Sequence, residues 1–176
     1  MIQKISYVGT FGCGKTTRAA EEFVRQKHMN PTQRVEFLRE PVIDCPFEFN
    51  EETSLNSQYW LIGEQLRAEL TLEARLPENG IIVTDCNVFS MIPYMAEARF
   101  YKEAEDAYNF LKHRAKSYTK IYLLDGDKFK YVYDDGFRST DKDFRWNIDL
   151  RTKVLFQRLI DENYLDKEAL TIYPLT

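Results

Sequence analysis

The chain has 176 residues, enough for one domain with a sizeable core, and is 44% hydrophobic and 14% aromatic, which excludes a disordered or low-complexity protein. Its formal net charge of -4 excludes a broad electrostatic footprint for duplex nucleic acid, leaving room only for a local basic groove. Cys13, Cys45 and Cys86 follow neither a zinc pattern nor a disulfide framework, so they read as reduced thiols of a cytoplasmic protein. No apolar run is long enough to span a bilayer, and the opening MIQKISYVGT reads as a strand rather than a signal peptide.

Residues 4–8 (KISYV) predict a short buried strand, then a glycine-rich turn and a helix over 15–28 with Ala20, Phe23 and Val24 on its apolar face. Residues 34–38 (RVEFL) predict a second strand, and the stretch REPVIDCPFEFNEE, with two prolines, a loop. A long helix is expected over 54–75, where Leu55, Tyr59, Ile62, Leu66 and Leu70 recur at spacings of three and four. The unbroken apolar run IIVTD, residues 81–85, suits a parallel strand covered on both faces. Loop and helix follow over 86–98, a helix over 101–116, and a strand over 120–124 (KIYLL). Residues 125–138 read as a loop, after which Ser139 or Thr140 would cap a helix carrying Phe144, Ile148, Leu155 and Leu159. Residues 169–173 (ALTIY) predict the last strand. This alternation predicts a three-layer α/β/α fold with a mostly parallel five-stranded sheet in one domain over 1–176, and the arginine-bearing stretch at about 126–146 reads as a lid segment.

Gly9-Thr10-Phe11-Gly12-Cys13-Gly14-Lys15-Thr16 matches G-x-x-x-x-G-K-[ST] at every specified position, between a strand and a helix. Glycines let backbone N–H groups converge on phosphate oxygens, and the helix N-terminus adds the positive end of its dipole. Lys15 is expected on the β- and γ-phosphates of ATP, and the Thr16 hydroxyl on Mg2+. Thr17 either touches the α-phosphate or simply starts the helix.

Asp85 ends a predicted parallel strand, and ligands of such sheets bind beyond the carboxyl ends of the strands. It is expected to support the metal or accept a proton, against the plainer reading of a capping carboxylate. Arg39 and Glu40 follow the second strand. Glu40 is a candidate general base and Arg39 a candidate phosphate partner, unless the two form a surface pair. In DDGFRSTDKDFR, Arg138 and Arg145 could stabilise charge on a transferred phosphoryl group, although Arg145 could equally pair with Asp141 on an exposed helix. Tyr59, Trp60, Phe89 and Tyr94 could stack on a base or belong to the core. Tyr59 and Phe89 are carried forward as acceptor contacts. His28 and His113 read as ordinary surface histidines.

With these residues in place the chain resembles the small P-loop nucleoside and nucleotide kinases, most of all the NadR family of nicotinamide riboside kinase domains. GTFGCGKTT, VEFLREP, YWLIGEQL, IIVTDCNVF and YDDGFRSTDKDFRWNI carry the resemblance in order, placing Asp135, Gly136 and Arg138 on a D-G-x-R motif. LREPV is also similar to the glutamate–proline motif of deoxynucleoside and thymidylate kinases, which maps to Arg39 and Glu40. Those enzymes usually carry arginine after the strand-three acid, where this chain has Cys86. The resemblance implies a parallel sheet with the P-loop strand in the middle, a lid over the phosphates, and often dimers.

The expected activity is ATP- and Mg2+-dependent transfer of the γ-phosphoryl group to a nucleoside- or nucleotide-like small molecule. A second reading keeps the chemistry and places the acceptor hydroxyl on nucleic acid, at a 5′ end or a hydroxymethylated base, with the acidic balance against it. A third is a nucleotide-dependent regulatory ATPase or switch, for which a lid-like arginine loop is not needed.

Overall fold

The computed structural model describes residues 1–126 and 139–173. Five strands form one sheet: β1 (Gln3–Val8), β2 (Val35–Leu38), β3 (Ile81–Asp85), β4 (Lys120–Leu124) and β5 (Leu170–Tyr173). The order is β2-β3-β1-β4-β5 and every pairing is parallel. Among the described residues five α-helices accompany them: α1 (Lys15–Met29), α2 (Leu55–Arg75), α3 (Ile92–Glu97), α4 (Tyr101–Leu111) and α5 (Lys142–Asp161).

Parallel strands need crossovers, and the crossover helices cover both sheet faces. On one face α1 packs Ala19 and Phe23 over Ile5, Tyr7, Val35, Ile81 and Val83. The opposite face meets the larger core, where Leu61 and Ile62 of α2, Met95 of α3, Tyr108 and Leu111 of α4, and Phe156 and Leu159 of α5 come together. The chain leaves β1 toward β2 on one side and passes β3 to reach β4 on the other. The carboxyl end of β1 therefore lies at the switch point where such sheets open a crevice. Among the described residues no helix is long and apolar enough to cross a membrane.

The expected strands and the long second helix stand where the sequence placed them; several finer readings are corrected. Val24 of α1 is 55% exposed and Ala20 is exposed, because the helix turns Ala19 and Gln26 inward instead. On α2, Tyr59 and Leu70 point out, and the buried stripe is Ser57, Gln58, Leu61, Ile62, Gln65 and Glu69. The fourth helix ends at Leu111 and tightens into a 3-10 turn over Lys112–Ser117. Neither Ser139 nor Thr140 caps α5: Asp141 does, accepting from Asp143 N and Phe144 N. Ser139 instead donates to Glu51 and accepts from Asp141 N.

Candidate functional site

The loop after β1 is built from left-handed glycines. Gly9, Gly12 and Gly14 have φ of 144°, 68° and 83°. At Gly9 a Cβ would sit 2.8 Å from the Leu124 carbonyl oxygen and 2.9 Å from Cys13 Sγ, so a side chain has neither the backbone angle nor the room. Gly14 stands at the N-cap of α1 and supplies no side-chain cap. The first N–H groups of α1 are thus left for an anion, at the positive end of a 15-residue helix.

Lys15 lies buried within this loop and donates to the Thr10 carbonyl at 3.0 Å. Burial alone would push its pKa down, but the surrounding Cys13, Glu40, Tyr94 and Asp85 outweigh burial and hold it above the usual lysine value. Burial pushes the Cys13 thiol and the Tyr94 phenol up, so both are neutral at pH 7. Thr16 is exposed at the first turn of α1, as is Thr17, which faces an outer groove with Ala20, Glu21 and Val24.

Asp85 ends β3 opposite Tyr7 of β1. It is 2% exposed, and its Oδ1 is buried with no hydrogen-bond partner among the described residues. A buried carboxylate oxygen without a donor is costly unless something positive comes to it. Cys86, the next residue, has φ 95°, a conformation that typically costs a non-glycine residue about 1–3 kcal/mol. The buried Asp85 oxygen and the Thr16 hydroxyl are each hard oxygen donors of the kind Mg2+ takes. No group of three or more His, Cys, Asp or Glu that could hold a metal exists among the described residues.

Glu40 stands at the N-cap of the 3-10 turn Pro41–Asp44, half-buried at the mouth of the crevice. Its charge acts on Lys15, Tyr94 and Cys86. Arg39 goes the other way: it is 58% exposed and paired with Asp44. Glu40 also lines a small cavity of about 50 Å3 with Phe11, Val42, Phe49, Asn50, Gln58, Leu61, Met91 and Tyr94. Gln58 Nε2 donates to Thr53 Oγ1 at 2.5 Å, while its buried Oε1 has no hydrogen-bond partner among the described residues. A larger groove of about 550 Å3 lies between α3, α4 and α5. Its charged residues Arg151 and Arg158 are paired with Glu97 and Glu105, so it offers no comparable chemistry.

Phe144 of α5 stacks on Phe11 of the loop at 6.0 Å and meets Tyr94 edge-on at 6.1 Å. Arg145 is not an exposed partner of Asp141. It is buried, donates from Nη2 to the Gly126 carbonyl at 3.1 Å, and its own carbonyl accepts from Thr10 Oγ1 at 3.3 Å. Its charge reaches the Cys13 thiol. Asp149 of α5 accepts from Gly126 N at 3.0 Å and pairs with Lys153. Residue 126 is thus pinned to α5 beside the phosphate loop.

The fold gathers Lys15, Glu40, Asp85 and Arg145 around the end of β1, and leaves out three expected site residues. Phe89 is wholly enclosed between Tyr118 and Phe156 in the core. Tyr59 is 53% exposed on the outer side of α2, and Arg39 is held outward as described. Asp134, Asp135, Gly136 and Arg138 lie outside the described residues. Sequence reasoning missed Gln58. The signal it carried was position: Gln58, Gln65 and Glu69 recur in step with Leu61 and Ile62, a polar thread in a buried stripe.

The sequence family described as PduV-EutP, ethanolamine utilisation – propanediol utilisation, matches residues 2–70. No curated protein matches the chain in sequence. Among solved structures, the thymidylate kinase from Ehrlichia chaffeensis superposes with a TM-score of 0.65 at 15% identity, covering 97% of this chain and 86% of that one. The NadR protein in complex with NR gives 0.66 at 18% identity over 97% of this chain, which spans 45% of that protein. The deoxyadenosine kinase from M. mycoides with bound dATP gives 0.65 at 14% identity over 98% of this chain and 90% of that one. At such identities the likeness is one of fold, and the chain has the parallel five-stranded α/β/α fold that these P-loop kinases share.

Proposed function

We propose that the chain is an ATP- and Mg2+-dependent kinase that transfers the γ-phosphoryl group to a hydroxyl of a nucleoside-like small molecule. The observation that carries this reading is the convergence of Lys15, Glu40 and Asp85 where the phosphate loop meets the cavity lined by Gln58 and Tyr94. A simple nucleotide-binding site has no use for a carboxylate at the mouth of a second pocket.

In this reading the amides of residues 9–16 and the Lys15 ammonium bind the phosphates, with Thr16 and Asp85 on the side of the metal. Mg2+, when bound, neutralises charge developing on the phosphate oxygens. Glu40 accepts the proton of the acceptor hydroxyl as it attacks. Arg145, held on the Gly126 carbonyl beside the loop, and Arg138, which lies outside the described residues, are the candidates for stabilising charge on the transferred group. Gln58 and Tyr94 orient the acceptor between the apolar walls Phe11, Leu61 and Met91. The cavity of about 50 Å3 is far below the roughly 300–1,000 Å3 of a small-molecule site. A nucleoside-sized acceptor therefore needs the cavity to widen, and the short 3-10 turns Pro41–Asp44 and Asn50–Glu52 beside it are where this reading places that adjustment. The ligands of the fold's neighbours agree with this class: NadR holds NR in one structure and NAD with AMP-PNP in another, and the deoxyadenosine kinase holds dATP.

The test is incubation with γ-labelled ATP, Mg2+ and a panel of nicotinamide riboside, deoxynucleosides, their monophosphates and oligonucleotides. Label moving to a small acceptor, and lost in Glu40→Gln, is the expected result. Transfer to oligonucleotides alone would move the acceptor to nucleic acid. A nucleotide-dependent switch is the second reading, favoured by the PduV-EutP match over residues 2–70, which spans the phosphate loop and stops short of β3 and Asp85. Bound nucleotide with no labelled product would select it.

A further inference from the structure

Asp85 sits between two residues that are hydrogen-bonded to each other. Thr84 Oγ1 donates to the Cys86 carbonyl at 2.7 Å, so the side chain before Asp85 grips the backbone after it. Ser6 Oγ of β1 donates to the same carbonyl at 3.3 Å, and Cys86 N donates to the Tyr7 carbonyl at 2.9 Å. Ser6, Thr84 and Cys86 are completely buried. The left-handed Cys86, with φ 95°, persists only because its surroundings over-determine it.

The Thr84 hydroxyl is itself oriented. It accepts from Gln65 Nε2 at 3.3 Å, and the same Nε2 donates to Glu69 Oε1 at 2.9 Å. Glu69 in turn accepts from Lys4 Nζ at 2.9 Å and from the Tyr118 hydroxyl at 2.7 Å. A buried polar chain thus runs from the start of β1, through α2, to the turn after β3. A strand threonine wanted only for its shape is replaceable by valine. Here the hydroxyl both accepts and donates, and the direction of the chain requires both. Asp85 Oδ1 has no hydrogen-bond partner among the described residues, so the backbone on either side does the aiming for that oxygen.

We propose that Thr84, assisted by Ser6, is a positioning residue that acts through the Cys86 carbonyl to direct the Asp85 carboxylate toward the Mg2+ of a bound nucleotide. The inference rests on the reading of Asp85 as the carboxylate on the metal side. It reaches beyond that reading to an assembly that touches neither nucleotide nor acceptor.

The experiment measures ATP affinity with and without Mg2+ by calorimetry and takes the ratio, a readout independent of turnover. In Thr84→Val the ratio is expected to shrink about tenfold or more, the usual effect of removing an outer partner of a metal ligand, while metal-free affinity is unchanged. Thr84→Ser keeps the hydroxyl and should restore the ratio. A merely structural threonine would lower the thermal midpoint and leave the ratio as in the parent, which overturns the proposal. Asp85→Asn serves as reference. If it collapses the ratio and Thr84→Val does not, the clamp is wrong and the metal reading stands. If Asp85→Asn also leaves the ratio intact, both fail. Should Thr84→Val not fold, Ser6→Ala carries the same test, and an unaltered ratio there overturns the proposal.

Discussion

The Lys15 ammonium donates to the Thr10 carbonyl of its own loop across 3.0 Å, and its neighbours, Cys13 and Glu40 foremost, outweigh burial and hold its pKa above the usual lysine value. A phosphate has to share or replace that bond, and the ammonium is already in place and already ionised. A charge-assisted hydrogen bond is worth about 1.5–3 kcal/mol. Lys15→Ala should therefore weaken ATP binding by about tenfold or more, measured by calorimetry. Lys15→Arg should not restore it, because a planar fork does not fit the buried slot of a point charge. Unchanged affinity in Lys15→Ala would remove the loop from the proposed site.

Gln58 supplies the sharpest test of the acceptor cavity. Its Nε2 is fixed on Thr53, and its buried Oε1 has no hydrogen-bond partner among the described residues. A site built to hydrogen-bond its substrate loses about 1–3 kcal/mol when one group is deleted. Gln58→Leu should lower kcat/KM for the acceptor by roughly tenfold to a hundredfold and leave ATP affinity alone. An equal loss in ATP affinity would mean that Gln58 supports the fold and not the acceptor.

How much of this site the sequence discloses depends on what each residue is buried against. Gly9 to Thr16 is legible because its chemistry is local: backbone angles, a helix start and one lysine within eight residues. The strand IIVTD is legible because a strand covered on both faces is apolar throughout, and its acid must then fall at the crevice. Phe89 and Tyr59 are not legible. Helical and loop aromatics look alike in sequence whether they face the core, as Phe89 does, or solvent, as Tyr59 does. Arg39 fails for another reason, since the turn Pro41–Asp44 brings Asp44 back to pair with it. The α2 stripe escapes because periodicity counts apolar residues, and this helix buries Gln58, Gln65 and Glu69.

Acid should weaken the protein through Glu73. Burial alone would raise its pKa, but hydrogen bonds from Arg114 at 2.6 Å and Lys4 at 2.5 Å outweigh burial and hold it below the usual glutamate value of 4.5. A carboxylate whose folded pKa is depressed contributes stability that is complete above the unfolded value and lost as pH falls through the folded one. The thermal midpoint should therefore fall as pH drops below about 4.5, and fall less in Glu73→Gln. Parallel pH profiles for the two proteins would assign the acid sensitivity elsewhere.

Lys4 and Glu69 form the most buried ion pair of the chain among the described residues, 1% and 0% exposed and 2.9 Å apart. Taking two charges out of water is costly, and their attraction compensates only while both are present with their hydrogen bonds. Here Tyr118, Gln65 and Glu73 complete those bonds, and the Lys4 ammonium also lies 4.1 Å from the centre of the Tyr118 ring. Removing one partner strands the other. Glu69→Leu should cost about 3–5 kcal/mol in urea unfolding, since it leaves the Lys4 charge facing Glu73 alone. Lys4→Met combined with Glu69→Leu should recover part of that loss, because no charge is then left stranded while Tyr118 and Gln65 still lose their acceptor. A Glu69→Leu protein within 1 kcal/mol of the parent would show that water or Glu73 already satisfies Lys4, and the polar chain would then lose its fixed end.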